Sequence, residues 1–337
     1  MPTVNLKSDF AARGNGISDD TDAFNAVCRE AEKTRRSYTV ILDDGIYEIK
    51  GSFHQWENAE LDRAVSQIRL PSLDLSNDAP ITISFRGHAP IAGNTNWTND
   101  RAPLNESGAI IRSSVEPSQY WHSMIAGSAP KGAKWAHSAC LADFQNVGLR
   151  CKYATAIDLG FMGYASIQGC LIDSGTILCD IAEPSNYRTG VIMPAQANWV
   201  KARLIDTDIV GFGCGLIGSE HLVADDVRIF LCKIGAQFKG GPHASAVRYL
   251  KMVGCQIAVM FYDHKTILKG GMQFDIEHTN GHLTGSRSWT NTIADIHDAS
   301  DLAQGIIDFN SVRSYVGPEN SMSVIGGQFL STINQHP

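Results

Sequence analysis

Cys232-Lys233-Ile234-Gly235-Ala236-Gln237-Phe238 and Cys255-Gln256-Ile257-Ala258-Val259-Met260-Phe261 carry one pattern twice, 23 residues apart. The match widens to Leu222–Phe238 against Ser245–Phe261. Backward, Gly213-Cys214-Gly215-Leu216 aligns with Gly235-Ala236-Gln237-Phe238 at a shift of 22. Gly175-Thr176-Ile177-Leu178 lies 38 earlier, and Ala156-Ile157-Asp158-Leu159 another 19. Forward, Leu250-Lys251-Met252 aligns with Met272-Gln273-Phe274, again at 22. A period of about 20–23 residues built from short alternating strands is that of a solenoid whose coils stack strand on strand. A leucine-rich repeat has a similar period, but its leucines and Asn/Cys at fixed offsets are absent. The expected fold class is therefore all-β, a parallel β-helix. A chain of 337 residues is long for one compact core; a solenoid escapes that limit because each coil touches only its neighbours.

The repeat reads as a single β-helix domain over 1–337, with regular coils from about 140 onward. Stretches 180–198 and 285–302 lengthen the period and read as loops leaving the coil; such loops wall binding grooves on rigid scaffolds. Residues 52–142 are less regular, with early strands at Gly87–Pro90 and Gly108–Arg112, and Met322–Phe329 reads as a last strand. The net charge of −7 argues against a dedicated nucleic-acid binder, and no apolar run approaches membrane-span length. Eight cysteines without a CxxC exclude a disulfide scaffold and a zinc ribbon. Cys232 with Cys255 and Cys151 with Cys170 are expected to stack one coil apart as free thiols, because ladder side chains run parallel. The start MPTVNLKSDF lacks a basic stretch followed by an apolar core, so no signal peptide is expected. The compartment stays open between secreted mature protein, virion and cytoplasm.

The first 50 residues are locally well specified. Ser18-Asp19-Asp20-Thr21 offers helix caps and early acids. Phe24, Val27, Cys28 and Ala31 then recur at helical spacing, so a helix is expected over 19–34. Thr39-Val40-Ile41-Leu42 and Ile46-Tyr47-Glu48-Ile49 read as strands around an Asp43-Asp44-Gly45 turn. Together, Asp9-Phe10-Ala11-Ala12-Arg13-Gly14-Asn15-Gly16-Ile17-Ser18-Asp19-Asp20-Thr21 and Val40-Ile41-Leu42-Asp43-Asp44-Gly45-Ile46-Tyr47 resemble the opening of pectate-lyase-superfamily proteins, departing at Ala11, Asn15 and Asp44. The resemblance implies a right-handed parallel β-helix whose N-terminal α-helix caps its open end. The superfamily includes polysaccharide lyases, glycosidases and phage tailspikes. The implied activity is cleavage of glycosidic bonds in a polysaccharide or oligosaccharide, by hydrolysis, β-elimination or intramolecular transfer. The rival is a non-catalytic glycan-binding phage tail or adhesin domain. A tailspike relationship would bring a homotrimer, although no trimerisation segment follows the last strand. Lyases of this superfamily often use calcium, but no carboxylate cluster at ligand spacing stands out, so no cofactor is expected.

The alignment also suggests a face for chemistry. It turns Ile205, Val227, Leu250 and Met272 inward, with Thr207, Ile229, Met252 and Phe274 beside them. Asp206, Arg228, Lys251 and Gln273 then form one outward stack, flanked by Leu204, Asp226, Tyr249 and by Asp208, Phe230, Val253, Asp275. Asp206 and Asp226 become diagonal neighbours about 8 Å apart, a separation that suits paired carboxylates acting on a sugar. Arg228 and Lys251 could bind an acidic sugar, or one of them abstract an α-proton. The bland alternative is a solvated ladder of alternating charge. Asp206-Thr207-Asp208, Asp225-Asp226 and Gly241-Pro242-His243 also resemble the N-T-D, D-D, G-H-G order of polygalacturonases, with Asp for Asn and Pro-His-Ala for the last motif. The candidate catalytic set is Asp206, Asp208, Asp226 and Glu277. Arg228, Arg248, Tyr249, Lys251, His243 and Trp199 are candidate substrate binders, walled by 180–198 and 263–285.

Overall fold

The computed structural model describes residues 1–55, 65–91, 107–119, 121–134, 137–175, 188–194, 201–218, 221–239, 245–253, 255, 257–262, 272–279, 292–296, 307–315 and 323–325. From 241 on, Leu250–Met252 and Cys255 excepted, the description is of strand backbone. Three faces of parallel strands wind around one core. The first face runs through Thr3–Asn5, Tyr38–Ile41, Ile81–Arg86, Ser138–Gln145 and Met162–Gln168. The second runs through Asn15–Asp19, Gly45–Glu48, Ala109–Ser113, Val147–Cys151 and Leu171–Asp173. From Lys201–Val210 onward, single long strands (Leu222–Phe230, Ser245–Val253, Met272–Thr279, Ile307–Tyr315) cross from the first face to the second. The third face is a separate sheet of ten strands, from Val65–Arg69 to Ser323–Ile325, parallel except for the short His54–Gln55 edge.

The corner between the first and second faces is one residue in the left-handed region. Asn146 (φ 56°), Gly169 (φ 62°), Asp206 (φ 45°) and Asp226 (φ 51°) occupy it in successive coils. These are the residue types that tolerate positive φ. Two of these corner amides reach the next coil: Asn146 donates to the Gln168 carbonyl at 2.9 Å, and Gly169 to that of Ile205 at 3.1 Å. The extra residue resets the alternation. On the first face Val40, Phe85, Phe144, Ile167, Leu204 and Ala224 stack inward. On the second, Tyr47, Ile111, Leu149, Ile172, Ile209, Ile229 and Met252 do.

This overturns part of the expected facing. Leu204, expected outward, is fully buried, and Ile205, expected inward, lies on the outer side of its strand. The shift between Lys201–Val210 and Leu222–Phe230 is 20, pairing Thr207 with Val227 and Asp208 with Arg228. The shift of 23 to Ser245–Val253 holds, with Val227 opposite Leu250 and Arg228 opposite Lys251. The next pairing sets Leu250 against Ile276 and Lys251 against Glu277, not against Met272 and Gln273. On the third face Cys214 pairs with Ile234 and with Thr189. The expected loops at 180–198 and 285–302 therefore contain coil strands, Thr189–Ile192 and Thr292–Ile296. Gly87 follows the strand Ile81–Arg86 as its corner, not as its start.

The cap forms as a helix over Thr21–Thr34, burying Phe24, Val27, Cys28 and Ala31. Asp19 accepts from the Thr21 amide at 3.0 Å and from its hydroxyl at 2.5 Å. Asp20 instead turns to the amides of Arg13 and Gly14. Phe24 meets Tyr47 edge-on with ring centroids 5.8 Å apart and Phe85 at 5.7 Å, and Phe85 stacks on Phe144 at 5.3 Å. The helix is thus the first layer of an aromatic stack that continues into the coils. The described cysteines are free and buried. Cys232 meets the Cys255 thiol one coil away. Cys151 does not stack on Cys170: their coils are shifted by 23, with Gly148 opposite Leu171.

Candidate functional site

One outward row of the second face reads Ile46, Ile110, Gly148, Leu171, Asp208, Arg228, Lys251, Glu277 through successive coils. It is apolar through the early coils and becomes charged at Asp208. The corner column beside it carries Asp206 and Asp226, directly stacked since Ile205 pairs with Asp225 and Thr207 with Val227. Their backbones are therefore about 4.8 Å apart, one coil rise, not the diagonal 8 Å expected from the alternation. The structure thus brings Asp206, Asp208, Asp226, Arg228 and Lys251 together, but on a corner and one row rather than on three parallel columns.

Arg228 organises the group. Its Nε lies 2.6 Å from Asp208 Oδ1, and its Nη2 lies 3.7 Å from Asp206 Oδ1. The close contact is an ion pair rather than an aligned hydrogen bond, and neither Arg228 Nε nor Asp208 Oδ1 gains a bonded partner there. The Asp208 side chain is 12% exposed, against 42% for Arg228 and 51% for Asp206. Burial pushes the Asp208 carboxyl up to about 6; Arg228 opposes this, while the charges of Asp206 and Asp226 add to it. A carboxyl held near neutrality, beside two solvent-facing carboxyls, can deliver a proton in a mildly acidic medium. The sequence pattern placed Asp208 on a flanking column. What singles it out is burial behind Arg228, which no local spacing announces.

Of the other candidates, Glu277 and Arg248 hold strand positions opposite Lys251 and Asp225, and Tyr249 stands in the corner column after Asp226. His243 and Trp199 lie outside the described residues, as do most of the expected walls at 180–198 and 263–285. Among the described residues no cluster of His, Cys, Asp or Glu is arranged to hold a metal ion.

Neither a protein-family model nor a curated protein sequence matches the chain. Among solved structures it is similar to the phiAB6 tailspike, solved in complex with three-repeated oligosaccharides of Acinetobacter baumannii surface polysaccharide. That likeness has a TM-score of 0.52 at 12% identity and covers 92% of this chain and 47% of the tailspike's. The chain thus spans less than half the length of that protein. The Dettilon tailspike protein is similar at a TM-score of 0.36 and 11% identity, over 98% of this chain and 62% of that one. An exopolygalacturonase from Thermotoga maritima is similar at 0.35 and 14%, over 87% and 79%. With strands paired coil on coil around one core and a helix closing the first coil, the chain is a right-handed parallel β-helix of the pectate-lyase-like fold.

Proposed function

We propose that the chain cleaves glycosidic bonds of a polysaccharide or oligosaccharide on the outward second face, at Asp206, Asp208, Asp226, Arg228 and Lys251. The observation that carries this reading is Asp208, a mostly buried carboxyl raised to about 6 beside two corner carboxyls. In this reading Asp208 protonates the leaving glycosidic oxygen, and Asp226 or Asp206 serves as the opposing carboxylate. Arg228 and Lys251 hold a substrate's acidic or hydroxyl groups, with Glu277 and Tyr249 at the far end of the rows. Elimination would instead need Lys251 or Arg228 in its unprotonated form to take the proton beside a uronate carboxyl, while the bond to the leaving glycosidic oxygen breaks, a double bond forms in the ring and Asp208 protonates that oxygen. Full-length protein incubated with a polysaccharide panel separates the chemistries. New reducing ends mark hydrolysis, and an ultraviolet-absorbing unsaturated end marks elimination. Asp208→Asn should abolish either product signal; turnover equal to wild type would remove the row from the mechanism.

A glycan-binding domain without catalysis is supported by a different observation. Asp206 and Asp226 occupy a corner where positive φ alone favours Asp, Asn or Gly, as Asn146 and Gly169 show. Retention of a polysaccharide with no product at any pH would favour it.

A further inference from the structure

The outward surface of the first face holds a groove of about 440 Å³, separate from the charged row around the corner. Its floor is a single row in which Leu141 stands opposite Tyr164 and Tyr164 opposite Lys201. Leu75 and Pro80 form the facing wall. That wall is tied down by its own turn. Asp74 accepts from the Ser76 amide at 2.8 Å and from Asn77, while Asp78 accepts from the Asp74 amide at 2.8 Å and pairs with Arg35 at 3.4 Å. Asp143, an acid of the same face, is engaged by Ser84, Gln145 and Arg86. Arg203 follows Lys201 two residues later on the same outward side, and Asp225 stands in the next coil opposite Ile205. Among the described residues neither cation has an ion-pair partner, and the Tyr164 hydroxyl has no hydrogen-bond partner. Beside Arg203, in the next coil, stands Val223, one of three large apolar side chains of the described chain that are exposed.

An apolar wall facing an amphipathic ring, with Lys201 in the lining and Arg203 two residues along the same outward side, matches a ligand with one apolar face and an anionic edge. In a chain of net charge −7 this local positive row is also a discriminating feature. We propose that the groove is a binding subsite for an anionic sugar unit. The ring lies between Tyr164 and Leu75, and its carboxylate or sulfate faces Lys201 and Arg203. The proposal rests on the carbohydrate reading above but not on the catalytic role of Asp208.

The test titrates the full chain with three probes: short uronate oligosaccharides, short sulfated galactan oligosaccharides and neutral malto-oligosaccharides. One anionic class should bind and the neutral probe should not; which class binds distinguishes carboxylate from sulfate. Tyr164→Ala and the Lys201→Ala/Arg203→Ala pair should each weaken binding by about tenfold or more, whereas Lys131→Ala, at an exposed lysine outside both rows, should bind as wild type. Failure of both anionic probes, or equal affinity in the Tyr164 and Lys201/Arg203 variants, overturns the subsite. Binding lost in Asp208→Asn but kept in Tyr164→Ala assigns the ligand to the second face and also overturns it. Binding at the groove with no cleavage of any glycan leaves the subsite standing while the catalytic reading falls.

Discussion

The second face of the β-helix carries charge in two places, and they differ in kind. In the early coils the outer row Glu48, Arg112, Arg150, Asp173 pairs one acid with one guanidinium: Glu48 with Arg112, and Asp173 with Arg150 at 3.2 Å. The acids are 5% and 1% exposed. Asp173 also accepts from the Gly175 amide. Past Asp173 that same row turns apolar, through Val210, Phe230 and Val253, and charge moves two residues toward the corner, to the next outward row of Asp208, Arg228 and Lys251. There Asp206 and Asp208 share one guanidinium at the solvent edge. Matched, buried pairs hold coils together. Mismatched, half-exposed ones leave a carboxyl whose proton is available.

The widest separation between the two regions should appear in activity. Asp208→Asn is expected to lower turnover on a cleaved glycan by about 10²–10⁴-fold, the span of a lost general acid, with the fold retained by circular dichroism. Arg150→Ala should leave turnover alone while costing stability. Stranding Asp173 in the interior is worth about 3–5 kcal/mol in denaturant unfolding. Equal stability losses for Arg150→Ala and Arg228→Ala would erase the distinction.

The pH dependence follows from the raised acidity of Asp208. Its folded pKa, about 6, exceeds the ordinary value of 3.8, so the folded state binds the proton more tightly. That contribution is fully present below about pH 4 and is lost as pH rises through about 6. Wild type minus Asp208→Asn should therefore lose up to about 3 kcal/mol across that window. A difference that is flat with pH would contradict the buried position.

At the corner, Asp226→Asn keeps a residue that tolerates positive φ, so stability should hold and only chemistry should change. Asp226→Val puts a β-branched side chain there and should cost about 1–2 kcal/mol. Arg228→Ala should cost less stability than Arg150→Ala, because Arg228 and Asp206 are half-exposed and Asp208, already raised to about 6, can take up a proton once its partner is gone.

What was legible in the sequence was local. The helix spacing of Phe24, Val27, Cys28 and Ala31, the Asp43-Asp44-Gly45 turn and the 23-residue match between Cys232–Phe238 and Cys255–Phe261 each depend on neighbours along the chain, and each appears in the structure. The five-residue helix Leu6–Phe10, capped by Asn5, was too short to show a period.

Short-range patterns are enough to specify a capped solenoid of parallel strands, because periodicity and the cap are written among near neighbours. Which side chains share a surface is a matter of how coil stacks on coil. Coil lengths change from 20 to 23 to 26 along the same rows, and a left-handed corner residue inserts one position that reverses inside and outside. Alternation read across Asp206 without that turn places Leu204 in solvent and Ile205 in the core. Where the corner falls is set by the stacking of one coil on the next, and the proton-holding position of Asp208 behind Arg228 follows from that stacking alone.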